Sequence, residues 1–211
     1  MKKLRSMNLN WRTAKKLVQY VLTTKAKDPW ASGKIIAKEF KEEFTRQMLV
    51  EQDKKCAYCG SRLFEKYPHR DHIAPKEQYV KWMFWPENLV LSCFACNTDS
   101  KKTYDPVLAV GKSYRNTEFT FVHPYLDDPA EHLEPSIDGL KILISPRDES
   151  KKGKETIRLF DLMSPERAKQ RAQESLSEID EQNLEGDLKE KYLRAANAIL
   201  EYQLKMKLGG Q

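Results

Sequence analysis

The four cysteines of the chain fall within one stretch, residues 56–97, which reads CAYCGSRLFEKYPHRDHIAPKEQYVKWMFWPENLVLSCFACN. They are Cys56, Cys59, Cys93 and Cys96, in the pattern C-x2-C-x33-C-x2-C. Two such pairs converging on one ion give the tetrahedron of four thiolates that Zn²⁺ favours. Because four thiolates leave no open coordination position, the predicted zinc is structural and not catalytic. Redox-active dithiols are the alternative, but they rarely come as two matched copies.

The stretch between the cysteine pairs predicts a strand, strand, helix unit. Leu63-Phe64 and residues 69–73 are predicted to be short strands separated by a turn at Tyr67-Pro68, and residues 88–92 form a third short run, which is apolar. A helix is predicted to begin at Cys96. The zinc would therefore join the start of the hairpin to the start of the helix.

Asp71 and His72 lie side by side in this stretch, and two amides, Asn88 and Asn97, follow them. A histidine, with an unperturbed pKa of about 6.5, can take a proton from water near neutral pH. Mg²⁺ accepts oxygen ligands and keeps several waters, so one carboxylate and one amide can be sufficient protein ligands. Neighbouring side chains of a strand face opposite ways. Asp71 and His72 can therefore share a phosphate only if the strand bends or ends there.

Each of these residues also has an ordinary structural explanation. An Asp-His pair is usually surface, Asn88 could be a turn residue, and Asn97 could be a helix N-cap. The aromatic residues Trp82, Phe84 and Trp85 are expected in the core, with a base-stacking platform as the alternative. Their concentration within one metal-bound unit favours the chemical interpretation.

The combined pattern resembles the HNH endonuclease motif on a ββα-metal fold, over about residues 51–104. The residues that carry the resemblance are Cys56, Cys59, Asp71, His72, Ile73, Pro75, Asn88, Leu89, Cys93, Cys96 and Asn97. It implies that Asp71 is a ligand of a catalytic Mg²⁺ or Mn²⁺ and that His72 is the general base. It also implies that Asn88 braces the loop and the base, and that Asn97 is the second protein ligand of the catalytic ion.

Two features of the chain depart from the commonest form of the motif. Asn97 stands where many members have a histidine, and its amide oxygen is a harder ligand, which favours Mg²⁺ or Mn²⁺ over zinc at that site. Many members also place a lysine three residues later, where Ser100 stands here. The resemblance then implies that Lys101 or Lys102 contacts phosphate.

Three downstream runs are similar to the PtuB-like HNH nucleases of bacterial Septu and retron defence systems. The runs are HPYLD at 123–127, TIRLF at 156–160 and SPER at 164–167. That subgroup acts with an ABC/SMC-like ATPase, PtuA, so the resemblance implies a partner of this kind. His123, Asp127 and His132 could form another metal site, but hydrogen-bonded structural residues around a proline turn are the favoured explanation.

Positive charge is concentrated at the start of the chain. The net charge is +6, and residues 1–50 carry 12 Lys/Arg against 4 Asp/Glu, with no acid before Asp28. Such a segment predicts a polyanion as partner, here DNA, and a solvated basic helix face is the alternative. Because no apolar run has the length of a signal peptide or of a membrane span, about 20 residues, a cytoplasmic protein without membrane contact is expected.

The flanks of the cysteine-rich unit predict helices before it and mixed structure after it. Apolar residues recur at helical spacing in residues 10–50, with a break at Asp28-Pro29, and Ser164-Pro165 is typical of a helix start. The predicted strands are residues 119–122, 140–144 and 156–159. A final apolar stripe, which is either a core face or a partner-docking face, comprises Leu188, Tyr192, Ala195 and Ile199.

We therefore expect an α+β protein with a zinc-stapled ββα-metal (HNH) core over residues 51–104. A basic helical arm, residues 1–50, would precede this core, and a mixed strand and helix extension, residues 105–211, would follow it. The predicted activity is metal-dependent hydrolysis of DNA, as the nuclease subunit of an antiphage complex, and the preference for DNA comes from the family. A non-catalytic zinc ribbon that binds nucleic acid or a partner is the alternative. We expect Cys56→Ser to cost folding, and Asp71→Ala to cost activity and leave the fold intact.

Overall fold

The structure, a computed structural model, describes residues 1–63, 68–136 and 143–180. The helices of these ranges are α1 Trp11–Thr23, α2 Ile35–Glu51, α3 Lys151–Leu159 and α4 Pro165–Asp180, and a π-helix spans Ala95–Lys101. The strands are β1 His69–His72, β2 Leu89–Ser92, β3 Val107–Ala109, β4 Glu118–Phe119, β5 Leu133–Ser136 and β6 Leu143–Pro146. They pair antiparallel as β1 with β2, β3 with β4 and β5 with β6. The expected α+β class is confirmed.

The predicted helical segment, residues 10–50, forms α1 and α2, and the chain breaks between them around Asp28. The Asn10 side chain caps α1 by accepting a hydrogen bond from the Arg12 N–H. In the connection, Asp28 Oδ1 accepts the N–H of Trp30. The residues that α2 buries are Ala37, Phe40, Phe44 and Met48. Their spacing of three to four residues places them on one face, as the periodicity predicts.

β1 and β2 form the hairpin at the centre of the cysteine-rich unit. His69 lies opposite Ser92, and His72 lies opposite Leu89. All four residues of β2 are buried, which explains why its first three residues are apolar without interruption. The π-helix follows β2 closely, so the predicted order of strand, strand and helix is found.

Two of the predicted strands differ in the structure. Leu63 belongs to no strand, and Phe64 lies outside the described residues. In the run predicted at residues 119–122, only Phe119 lies in a strand. Phe121 and Val122 are fully buried, so this run is apolar because it fills the core and not because it extends a sheet.

The predicted strand at residues 156–159 is wrong, because these residues form the end of α3. The Ser150 hydroxyl accepts the N–H of Gly153 and starts this helix. Thr156 suggested a strand through its β-branched side chain, but its hydroxyl donates to Lys152 O and accepts the N–H of Val122. Of the run predicted at residues 140–144, only the last two are described, and they lie in β6.

The predicted helix start at Ser164 is confirmed. Its hydroxyl accepts the N–H of Arg167, and Pro165 occupies the first helical position of α4. The apolar stripe predicted from Leu188 to Ile199 lies outside the described residues. In the part of the chain that the structure describes, no helix combines the length and apolar character needed to cross a membrane.

One hydrophobic core joins the cysteine-rich unit to both flanks. Its fully buried large side chains are Tyr58, Phe44, Phe119, Phe121, Phe160, Leu17, Met48, Ile73, Leu89, Leu91 and Leu162. Trp82 and Phe84 are buried as predicted, whereas Trp85 is 42% exposed. The hairpin that carries the candidate site therefore has a rigid support on several sides.

Candidate functional site

The four cysteine sulfurs form one cluster in which all Sγ atoms lie within 4.8 Å of one another. The Sγ atoms of Cys59 and Cys93 are 3.7 Å apart. A tetrahedron with Zn–S bonds of about 2.3 Å has S–S edges of about 3.8 Å, so this spacing fits a zinc ion. Directly after the first pair, Gly60 has a φ of +78°, at which a side chain would be strained. The cluster thus has the composition and spacing of a structural zinc site.

Short backbone links fix both cysteine pairs to the hairpin. The N–H of Ala57 donates to Leu91 O in β2. Cys93 follows the last residue of β2, and Cys96 lies in the first turn of the π-helix. An ion at the cluster would consequently hold the loop before β1, the end of β2 and the start of the π-helix in one arrangement.

Asp71 is buried on β1, and both of its carboxylate oxygens are hydrogen-bonded. The Tyr58 hydroxyl donates to Oδ2 at 2.5 Å, and the Lys101 ammonium donates to Oδ1 at 3.3 Å. Burial raises the pKa of the Asp71 carboxyl, against the opposing effects of the Lys101 charge and of the Tyr58 hydrogen bond. Without Asp71, the Lys101 ammonium would be buried beside no counter-ion, at a cost of about 3–5 kcal/mol. Asp71→Ala is therefore expected to destabilise the fold, which differs from the prediction made from the sequence.

Lys101 lies inside the protein and does not reach solvent. It is 2% exposed, and its ammonium donates to His72 O at 2.6 Å in addition to Asp71. This position does not suit the predicted contact with phosphate, whereas Lys102 is exposed. The π-helix explains this placement. Its turn is wider than that of an α-helix, as the hydrogen bond from the Lys102 N–H to Asn97 O shows. Lys101 and Asn97 therefore both contact residues on the same face of β1.

His69 lies beside two of the candidate site residues, and it was not predicted from the sequence. It precedes Asp71 by two positions on β1, so both side chains share one face of the strand. The Asn97 side-chain N–H donates to His69 Nδ1 at 3.2 Å, and both residues are partly exposed. The alternation of side chains along a strand could have been used to predict this position for His69, because it lies two residues before Asp71. The face of β1 toward the π-helix thus carries an imidazole and a carboxylate, with an amide against the imidazole.

His72 occupies the opposite face of β1 and is buried. Its Nε2 lies 2.9 Å from Met83 O, and its ring centroid is 4.5 Å from that of Trp30. Burial lowers the pKa of His72 to about 4, so the ring is neutral at pH 7. Since the carbonyl of Met83 can only accept, the proton of the neutral ring is on Nε2, which leaves the Nδ1 lone pair available.

The structure does not bring His72, Asp71 and Asn97 into mutual contact. β1 ends at His72, which is the condition under which Asp71 and His72 could face one phosphate. The described partners of His72 are nevertheless distinct from those of Asp71 and Asn97. The alternation of the strand is the physical reason. The catalytic roles assigned to these residues remain predictions.

Asn88 is fully buried and holds together the loop that follows β1. Its Oδ1 accepts the N–H of Ala74 and the hydroxyl of Tyr114. Its Nδ2 donates to the carbonyls of Ala74 and Trp82. These contacts fix the segment next to His72, which is the position that the motif resemblance implies for Asn88.

Asn88→Ala is expected to lower the free energy of unfolding by about 3 kcal/mol or more, because it removes four buried hydrogen bonds and leaves the N–H and the carbonyl of Ala74 without their Asn88 partner, at about 1–3 kcal/mol for each of these two groups. Urea unfolding followed by circular dichroism measures this effect. Asn116→Ala is the matched control, since Asn116 is exposed and should change stability by less than about 0.5 kcal/mol. An equal, small effect of both substitutions would contradict the structural role of Asn88.

His123, Asp127 and His132 do not form a second metal cluster among the described residues. His123 Nδ1 accepts the N–H of Tyr125, and its Nε2 lies 2.9 Å from the Tyr114 hydroxyl. Asp127 pairs with Lys152, and His132 lies against Ser150. The favoured explanation of hydrogen-bonded structural residues agrees with these contacts.

Two buried histidines make the protein sensitive to acid. Burial lowers the pKa of His72 to about 4 and that of His123 to about 3, while the value in an unfolded chain is about 6.5. Below pH 6.5 the unfolded chain therefore binds more protons than the native protein, and stability falls as the pH falls.

Between pH 8 and pH 5, each of these histidines is expected to remove about 2 kcal/mol from the free energy of unfolding. Urea titrations at both pH values provide the test, and His123→Gln should lose about half of the dependence. A free energy of unfolding that stays constant over this range would contradict the neutral burial of both rings.

The basic segment at the start of the chain is packed against the protein and only partly free. Leu4 is buried, and its N–H donates to Pro124 O. Lys2 pairs with Asp53, and Arg5 pairs with Glu51. The exposed cations of α1, on the side away from the buried Leu17, are Arg12, Lys15 and Lys16. These three side chains form one group of exposed positive charge that a polyanion could contact.

Part of the chain matches a known protein family, and the matched part contains this site. Residues 56–103 match the model of the HNH endonuclease family. The matched segment begins at the first cysteine, includes the hairpin and ends after the π-helix. The resemblance inferred from the motif residues is thus confirmed over residues 56–103.

One curated relative extends the likeness beyond the HNH domain. The Septu protein PtuB of Bacillus mycoides (strain KBAB4) is 30% identical to the chain over an alignment of 156 residues, which covers 63% of this chain and 51% of that protein. The chain spans about half the length of the curated relative that it matches. The inferred similarity to PtuB-like proteins is confirmed.

Proposed function

We propose that this HNH-domain protein is a metal-dependent endonuclease that hydrolyses DNA. The observation that carries the proposal is the Asp71-His72 pair at the end of β1, in a hairpin anchored by the cysteine cluster and matched by the HNH family. The similarity to a Septu protein supports a role in bacterial antiphage defence. We further propose an ABC/SMC-like ATPase of the PtuA kind as partner, and the cytoplasm as location.

Asp71 and Asn97 are the proposed protein ligands of the catalytic Mg²⁺ or Mn²⁺. A carboxylate and an amide offer the oxygen donors that these ions prefer. Each Asp71 oxygen accepts one hydrogen bond, and an ionised carboxylate has about four acceptor positions, so positions remain. When bound, the ion would supply positive charge for the phosphate and the leaving oxygen. His69 lies against Asn97 and would orient the amide.

His72 is the proposed general base. Its ring is neutral at pH 7, and the Met83 carbonyl fixes the ring orientation through Nε2. Nδ1 is therefore the nitrogen that can accept a proton from water. Because the ring lies on the face of β1 opposite to Asp71, the proposal requires the end of β1 to open toward substrate. In the absence of substrate, the catalytic hydrogen bonds of enzymes are often long or poorly aligned, and they shorten when the substrate binds.

A non-catalytic zinc module that binds nucleic acid or a partner is the second candidate function. The burial of His72 and Asp71 on opposite faces of β1 favours it. Cleavage of supercoiled plasmid DNA with Mg²⁺ or Mn²⁺ distinguishes the two functions. Cleavage by the wild type and not by His72→Ala supports the nuclease, and zinc-loaded protein that binds DNA without cleaving it supports the zinc module.

DNA binding is expected to depend on the exposed cations of α1. Replacing Arg12, Lys15 and Lys16 together by glutamine should weaken binding and reduce the slope of log affinity against log salt by up to about 3. Fluorescence anisotropy with a labelled duplex measures both quantities. The matched control replaces the exposed Lys112, Lys151 and Lys169, and an equal loss in that variant would assign the effect to net charge alone.

A further inference from the structure

The guanidinium of Arg167 lies against the cysteine cluster. Its Nη1 is 3.4 Å from Cys59 Sγ and 3.9 Å from Cys93 Sγ, and its Nη2 is 3.5 Å from Cys96 Sγ. The residue belongs to the first turn of α4, far beyond the matched HNH segment at residues 56–103. One side chain from the downstream flank thus contacts three of the four sulfurs.

When zinc is bound, this contact places a positive charge beside a negatively charged metal centre. Four thiolates and one Zn²⁺ carry a net charge of about −2, and three of the four cysteines are buried. A buried charge is costly unless it is paired and hydrogen-bonded. A guanidinium carries positive charge and several N–H donors in a planar fork, so it can donate to several sulfurs at once.

A second contact holds α4 against the same region. The Arg62 backbone N–H, three residues after Cys59, donates to Glu174 Oε1 at 3.0 Å. Arg167 and Glu174 are seven residues apart, which places them on one side of α4 about two turns from each other. The helix therefore lies along the first cysteine loop, with one contact to the sulfurs and one to the backbone.

We propose that Arg167 is a positioning residue of the metal centre, which retains the zinc by donating hydrogen bonds to the thiolates and fastens α4 to the cluster. The proposal rests on zinc occupying the cysteine cluster and is independent of the proposed nuclease activity. It makes the segment after the HNH domain part of the metal centre, since α4 and the bound ion stabilise each other.

The test measures zinc release from the full-length, zinc-loaded protein to the coloured chelator 4-(2-pyridylazo)resorcinol. Arg167→Gln should release zinc about tenfold faster or more, because hydrogen bonds to charged groups contribute at least that factor. Arg167→Lys, which keeps the charge but lacks the planar fork, should lie between this variant and the wild type. Lys169→Gln removes one charge from an exposed position of the same helix and should release zinc at the wild-type rate.

Glu174→Ala separates the effect on zinc from the docking of the helix. It removes the contact to the Arg62 backbone and leaves Arg167 in place, so zinc release should stay within about twofold of the wild type. Release that is equally fast in Glu174→Ala and Arg167→Gln would overturn the proposal, because zinc retention would then follow α4 docking in general. Unchanged release in Arg167→Gln would overturn it as well.

Hydrogen exchange gives a readout that does not depend on the chelator. In Arg167→Gln at full zinc occupancy, backbone amides of residues 165–174 should exchange faster, while those of β2 keep their protection. Protection of α4 equal to that of the wild type would contradict the fastening role. Zinc content measured on the same samples shows whether the cluster holds zinc, and an absence of zinc in the purified wild type would also overturn the proposal.

Discussion

Cys56→Ser should yield a chain without a cooperative unfolding transition. Structural zinc contributes about 10–16 kcal/mol of binding free energy, while the whole stability of a typical domain is about 5–15 kcal/mol. The first cysteine loop is joined to β2 through Ala57, and the π-helix begins at the second pair. Loss of the ion therefore releases three segments that support the hairpin. Thermal unfolding followed by near- and far-ultraviolet circular dichroism measures the loss.

Reversible removal of zinc is the control for this substitution. Wild-type protein treated with a chelator should lose the same structure, and addition of one equivalent of zinc should restore it. Ser113→Ala, at an exposed position, should unfold as the wild type does. A chelated protein that keeps its unfolding transition would show that the hydrophobic core is sufficient for folding and that the cysteine cluster is not a structural zinc site.

His72→Ala should lower the rate of DNA cleavage by about 10²–10⁴-fold, the range expected for loss of a general base. The ring is also packed against Trp30, so part of the effect could come from a disturbed fold. His72→Gln addresses this point, because its amide Nε2 corresponds in position to the histidine Nε2 and can donate to Met83 O but cannot take a proton near neutral pH. Both variants should cleave slowly while their zinc content and circular dichroism match those of the wild type.

His69→Ala is the matched control, since it removes an imidazole from the other face of the same strand. It should reduce cleavage far less than His72→Ala, through the weaker orientation of Asn97. If His69→Ala were the variant that abolished cleavage while His72→Ala remained active, the base would be His69. The site would then lie on the face of β1 that carries Asp71.

Local spacing allowed the metal-binding and hairpin parts of the protein to be predicted. The C-x2-C pairs predict a site of four thiolates, because such a site depends on four sulfur atoms and little else, and the four sulfurs lie together in the structure. The apolar run ending at Ser92 is a strand buried along its length, which its continuous apolar sequence predicts. The Ser164-Pro165 helix start is likewise encoded within one turn.

Features that depend on distant partners were missed. Thr156 favours a strand by local propensity, but its buried hydroxyl bonds to Val122 and to its own helix, so tertiary contacts decide its conformation. Lys101 was expected at the surface, and its burial depends on the π-turn and on Asp71. Arg167 contacts cysteines that lie 71 or more positions away in the sequence. A contact over such a separation cannot be predicted from the pattern of neighbouring residues.

The most direct test of the account is the cleavage of supercoiled plasmid DNA by zinc-loaded wild-type protein as Mg²⁺ or Mn²⁺ is added to a chelator-free buffer. The assay is run with and without an ABC/SMC-like ATPase partner, and zinc content is measured on each sample. We expect nicked and linear DNA only when the divalent cation is present. Folded, zinc-loaded protein that leaves the DNA intact at every cation concentration, with the partner as well as without it, would contradict the proposed nuclease.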